Sequence, residues 1–157
     1  MKKLLLISIV AIIATSCYTT KSVTFSDDEF VKVYDDVSGT QDQLYLKSNE
    51  WLIGIFKNAK SVVQHSDKDE GVILGKYLLT TIPFVDMLTG TSNYTDVFAT
   101  IDIRLKDNKA RLAIQPYDYS YLENSMNKGY NKEGIINEME AIAEDFHSTL
   151  KEKNVDF

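Results

Sequence analysis

Hydrophobic and polar residues alternate along "FVKVYDDV", with Phe30, Lys32 and Tyr34 on one side and Val31 and Val33 on the other. A period of two predicts a strand with two unlike faces. From Gln41 to Ala59 the period lengthens, and Leu44, Ser48, Trp51, Leu52, Ile55, Phe56 and Ala59 fall at three- and four-residue steps. That stripe predicts a helix that buries one side against a sheet. Ser38 or Thr40 supplies the side-chain oxygen for its first free amides.

Two runs rich in β-branched residues then flank the turn Asp67-Lys68-Asp69-Glu70-Gly71: Val62 and Val63 before it, Val72 to Leu79 after it. A hairpin is predicted, with Gly71 taking the positive φ that such turns require. A second hairpin joins Val97–Leu105 to Ala110–Tyr121 through Lys106 to Lys109, with Phe98, Ile101, Ile103 and Leu105 facing Leu112, Ile114 and Tyr117. Helical steps return at Ile135, Ile136, Met139, Ile142, Ala143, Phe146 and Leu150, predicting a last helix over 132–153.

The order β-α-β-β-β-β-α predicts an α+β two-layer domain over 30–157: one antiparallel sheet of about five strands with both helices on one face. Between the hairpins lies "LLTTIPFVDMLTGTSNYTD", whose Ile82, Pro83, Phe84, Val85, Met87 and Leu88 would form an exposed apolar patch in a plain loop. A short helix folding over the open sheet is the expected way to bury them.

The ends change the picture from fold to address. Met1-Lys2-Lys3 followed by "LLLISIVAIIA" and then small residues is a secretory signal, so residues 1–16 are excluded from the fold. The apolar run is short of the roughly 20 residues that span a bilayer. Ala14-Thr15-Ser16-Cys17 resembles the lipobox of bacterial lipoproteins. That resemblance implies cleavage before Cys17, lipid on its thiol and an acylated new amino terminus, and several chains make such anchoring effectively permanent. Cys17 is the single cysteine, so no internal disulfide is open to it. Residues 17–29 are polar and lack periodicity, which predicts a tether. Tyr18 is not the Asp that retains lipoproteins at the inner membrane, so the resemblance points to the outer membrane, facing the periplasm.

Without Lys2 and Lys3 the chain keeps 15 basic and 23 acidic residues, a net charge of about −8 with histidines neutral. Phosphate backbones repel such a body, which excludes nucleic acid as a partner.

The segment Asp42 to Tyr77 resembles a domain of unknown function found in secreted proteins and lipoproteins of Bacteroidetes, with a fold like the TATA-box-binding protein. Leu44-Tyr45, Trp51, Phe56 to Lys60, Val63-Gln64, Asp67 to Glu70 and Gly71 to Lys76 carry the likeness, and "LKDNKARLAI" resembles the family's last hairpin. It covers about residues 30 to 120 and implies the TBP-like (TATA-box-binding-protein-like) element order. It implies no activity.

His65, Ser66, Asp67, Asp69 and Glu70 put possible ligands close together, but Gly71 stands where an EF-hand loop needs an oxygen, so no metal site is read there. No nucleophile elbow and no phosphate loop is present, and no cofactor is expected. Tyr117, Tyr119 and Tyr121 alternate on one strand face, where tyrosines give contact area with a polar tip. Together with Phe84 and Met87 they form the candidate contact surface for an envelope protein, peptide or glycan. The reading is a lipid-anchored envelope protein acting as a non-catalytic binding or assembly module. Its rivals are an envelope hydrolase using His65 and neighbouring acids, and a lipoprotein that self-associates through its uncovered sheet face.

Overall fold

The computed structural model describes residues 20–23, 25, 30–56, 61–85, 89–117, 119–122 and 132–152. In chain order these form β1 (Thr20–Val23), β2 (Val31–Tyr34), α1 (Gln41–Ile55), β3 (Val62–Asp67), β4 (Val72–Val85), β5 (Ser92–Lys106), β6 (Lys109–Pro116), β7 (Tyr119–Leu122) and α2 (Lys132–Lys151). A five-stranded antiparallel sheet has the order β2-β6-β5-β4-β3, as the α+β reading requires. β1 and β7 pair separately, Thr20 opposite Leu122 and Val23 opposite Tyr119. Residues 20–23, assigned to the tether, therefore form a strand.

Alternation along the strands sets the two faces of the sheet. Ile73 on β4, Val97, Ala99, Ile101, Ile103 and Leu105 on β5, and Ala110, Leu112 and Ile114 on β6 are buried in one cluster with Leu44, Trp51 and Leu52 of α1 and Ile135, Met139, Phe146 and Leu150 of α2. Both helices thus cover the same face. The Trp51 and Phe146 rings meet at 4.8 Å, and the Trp51 indole donates to Asp145 Oδ2 at 2.8 Å, joining helices 94 residues apart in the chain.

Local chemistry fixes each start and turn. Thr40 caps α1: its hydroxyl accepts from the Gln43 amide while the Gln43 side chain accepts from the Thr40 amide. Gln41 then donates to the carbonyls of Lys68 and Asp69, tying the first hairpin turn to the helix. The second turn joins them, because Asp107 accepts from the Gln41 amide at 2.7 Å and Asn108, at φ 57, exchanges hydrogen bonds with Gly39. Gly71 has φ 66, as its turn predicts.

Three further expectations need correction. The segment between the hairpins is no helix. Residues up to Val85 continue β4 and pair with β5 back to Ser92, so the two strands extend past their neighbours as a ribbon. Thr80, Thr81, Ile82 and Val85 are β-formers, and pairing satisfies their backbone without a cap or helical stripe. A register shift between Leu78 and Thr80 brings both Leu79 and Val97 to buried positions at the root of this ribbon. Phe98 is the second correction: it pairs with Leu78 on the face away from the helices, one step out of phase with Ile101 and Ile103. Third, α1 ends at Ile55, where the Phe56 amide closes on the Leu52 carbonyl at 2.8 Å; Ala59 lies outside the described residues.

Candidate functional site

The face of the five-stranded sheet opposite the helices carries no second layer among the described residues. Register places its side chains in rows. Val33 of β2, Arg111 of β6, Arg104 of β5, Val72 of β4 and Asp67 of β3 form one row. Val31, Ala113, Asp102, Leu74 and His65 form the next. Thr100 and Lys76 follow, then Phe98 and Leu78. At the other end Lys106 faces Lys109. Val72, Leu74, Leu78 and Phe98 are all half-buried by their neighbours and open to solvent above.

Two charge arrangements organise this face. Asp102 accepts from Arg104 Nε at 3.2 Å and from Arg111 Nη1 at 3.4 Å, bridging two arginines that stand directly opposite each other. The Lys76 ammonium sits 3.9 Å from the centre of the Phe98 ring, a cation–π contact across the strands. The helical layer has the opposite character, with Asp42 and Glu50 on α1 and Glu133, Glu138, Glu140, Glu144 and Asp145 on α2, against Lys47, Lys132 and Lys151.

A second cluster lies where β2 ends. Asp36 Oδ1 meets His147 Nε2 at 2.8 Å, and its other oxygen pairs with Lys151 Nζ. Hydrogen bonds from Lys151 and then His147 hold the Asp36 carboxyl down at about 2. The Tyr34 ring stacks on His147 at 4.3 Å, and its hydroxyl donates to the Ala143 carbonyl at 2.9 Å. Burial first, then the charges of Asp36 and Glu144, push the Tyr34 phenol up to about 12. These groups close α2 over β2, so His147 acts as a clamp on the helix flank.

The residues singled out in the sequence separate in space. Cys17 and Met87 lie outside the described residues, as do the side chains of Phe84, Tyr119 and Tyr121. Tyr117 is exposed after β6, its amide bonded to the Phe98 carbonyl at 2.8 Å. The backbones of Tyr119 and Tyr121 belong to β7 and pair with β1, apart from the main sheet. Phe84 pairs with Asn93 far along the ribbon. His65 is exposed on the edge strand opposite Leu74, and Asp67 accepts from the Glu70 amide at 3.0 Å to close the turn. Among the described residues no three His, Cys, Asp or Glu side chains cluster to hold a metal.

Sequence reasoning passed over the open-face cations, although "RLKDNKAR" carries their signal. Arg104 and Arg111, and Lys106 and Lys109, are equidistant from a turn at Asp107-Asn108. Once that turn is placed, each pair must meet across the strands.

Residues 30–120 match the family described as a domain of unknown function (DUF4468) with TBP-like fold. The chain belongs to the DUF4468 family. Its DUF4468 match runs from β2 to β7 and stops before α2. A DUF4468 family protein from Bacteroides ovatus has a similar fold, with TM-score 0.57, 17% identity, and 82% of this chain and 88% of that chain covered. A TBP-like protein from Parabacteroides distasonis aligns with TM-score 0.48 and 14% identity over 86% of this chain and 94% of that one. No curated protein matches the chain.

The DUF4468 segment "GVILGK" has a physical reading in this fold. Gly75 lies under Phe56: a Cβ there would sit 2.9 Å from Phe56 Cζ, so the glycine lets the ring lie against the sheet. Lys76, the next residue, turns to the open face and covers Phe98.

Proposed function

We propose that this DUF4468 protein is a non-catalytic binding module of the cell envelope, anchored through lipid on Cys17, whose contact surface is the open face of its sheet. The observation that carries this reading is the combination of Leu74, Leu78 and Phe98, half-buried with no layer above them among the described residues, with the guanidinium groups of Arg104 and Arg111 on the same face. Apolar area ringed by polar anchors is how protein contact surfaces are built. The likeness of Ala14-Thr15-Ser16-Cys17 to a lipobox supports the anchor, and Tyr18 after it supports the outer membrane, facing the periplasm. The contact surface therefore moves from the tyrosines and the ribbon to the sheet.

A photo-crosslinking residue placed at Thr100 in intact cells should give a discrete adduct, and one at Ile53 on the exposed side of α1 should not. No adduct from Thr100, or the same pattern from both, removes the open face. An adduct with a second copy of the chain would replace the partner reading by self-association. Labelled fatty acid should appear on the wild type and vanish with Cys17→Ser; equal labelling of both removes the anchor.

A further inference from the structure

We infer that the turn end of the open face is a binding site for an acidic, extended polypeptide segment, an inference that rests on the open face being the contact surface. Four cations stand there in two directly opposed pairs, Arg104 with Arg111 and Lys106 with Lys109. Like charges facing each other across strands destabilise a hairpin. Their neighbours neutralise them only in part: Asp102 is shared by both arginines, and Asp35 pairs with Lys109 at 2.7 Å. Asp107, the acid in the turn itself, is turned away to cap α1 through the Gln41 amide. A hairpin that keeps two opposed cation pairs in a chain with 23 acids and 17 bases is built for an anion from outside.

The spacing selects the kind of anion. Along each strand the cations lie two residues apart, roughly 6.8 Å, on strands about 4.8 Å apart. An extended peptide presents alternate side chains at the same two-residue repeat, so glutamates at alternate positions meet successive cations. Arginine forks also suit planar carboxylates. Beside the arginines and Asp102 the face carries Val72, Leu74 and Ala113, and past Thr100 and Lys76 it carries Leu78, apolar positions that suit the side chains of a peptide and offer little to a sugar. Base stacking would need a free ring, and Phe98 is already covered by Lys76. The acidic helical layer repels a long polyanion, while a short segment on the sheet side is shielded over a Debye length of about 8 Å.

The test uses the full chain in zwitterionic detergent and a fluorescent short peptide with glutamate at alternate positions and an apolar tail. A matched peptide with lysine for glutamate, a sulfated oligosaccharide and a single-stranded oligonucleotide are the comparisons. The glutamate peptide should bind, the lysine peptide should not, and Lys106→Glu and Arg111→Gln should each weaken binding at least fivefold. Lys106→Glu replaces a like-charge pair by an opposite pair, so its melting temperature should hold or rise while binding falls, which separates loss of the site from loss of the fold. Absent binding of the glutamate peptide, or unchanged binding by both variants, overturns the inference. Tighter binding of the oligosaccharide or oligonucleotide with the same two residues required overturns the polypeptide class. The Thr100 crosslink reports the open face independently, so it persists if only the acidic chemistry is wrong.

Discussion

Gly71 and Leu105 meet backbone to backbone: the Leu105 amide donates to the Gly71 carbonyl at 2.8 Å, and a Cβ on Gly71 would lie 2.5 Å from the Leu105 carbonyl oxygen. The same Cβ would stand 2.9 Å from Gln41 Cδ, the side chain that fastens the turn to α1. With φ at +66 added, Gly71→Ala strains the backbone, and the nearest atom in its way is a backbone oxygen that no side-chain rotation moves. A loss of about 2 kcal/mol or more is expected, read as a lower urea midpoint with unchanged slope. An unaltered midpoint would show that the turn does not hold the hairpin to the helix.

The bond from Trp51 to Asp145 makes a second prediction. Trp51→Phe keeps most of the ring contact with Phe146 but removes the donor, at a cost of roughly 1.5 kcal/mol for a hydrogen bond to a charged acceptor. Asp145→Ala in the Trp51→Phe background should then cost little, giving a coupling of about 1 kcal/mol in a double-mutant cycle. Strict additivity of the two substitutions would contradict the pairing.

The clamp around Asp36 makes stability depend on pH at both extremes. Its carboxyl is lowered to about 2 in the folded chain, from 3.8, so its contribution is full above pH 4 and is lost as pH falls from there toward 2. Tyr34 is raised from 10.0 to about 12, so the contribution of its neutral hydroxyl is full below pH 10 and is lost between 10 and 12. Melting temperature followed across both windows should fall less steeply in Asp36→Asn on the acid side and in Tyr34→Phe on the alkaline side. Tyr77, also raised by burial first, leaves part of the alkaline slope in place. Slopes identical to the wild type in both variants would remove the clamp as a source of pH dependence.

The ribbon and the core should respond in opposite ways. Ile101→Ala, at a position with 0% exposure, should cost 2–5 kcal/mol by lost burial and the cavity left behind, about the range for aliphatic cores. Tyr94→Ser, at 70% exposure on the ribbon, should stay within about 0.5 kcal/mol. A large loss at Tyr94 would mean that the ribbon is packed against something.

Legibility in the sequence followed the range of the interaction. The Thr40 cap, the Gly71 turn, the 107–108 turn and both helical stripes depend on residues within a few positions of each other, and each stands close to where periodicity put it. The DUF4468 likeness likewise rests on local motifs. Features that require register were harder to read. Phe98 was assigned to the wrong face because a period of two is lost if the phase is taken from the wrong neighbour, and the cation pairs became visible only with the turn fixed. The apolar residues of the ribbon suggest a cover for the sheet, whereas pairing between β4 and β5 satisfies their backbone and leaves Val85 exposed. Asp36 and His147, 111 residues apart, carry no local signal at all.

The helix that supplies Phe146 and Leu150 follows in the chain every strand it covers, and its partners Tyr34 and Trp51 are made well before it. Until α2 docks, the sheet has half its roof, supplied by α1, and Trp51 lacks the Phe146 ring and the Asp145 carboxylate that close against it. Completion of the core therefore waits for α2: until that helix is made the growing chain offers apolar surface to chaperones, and a chain truncated before Lys132 should remain in that state.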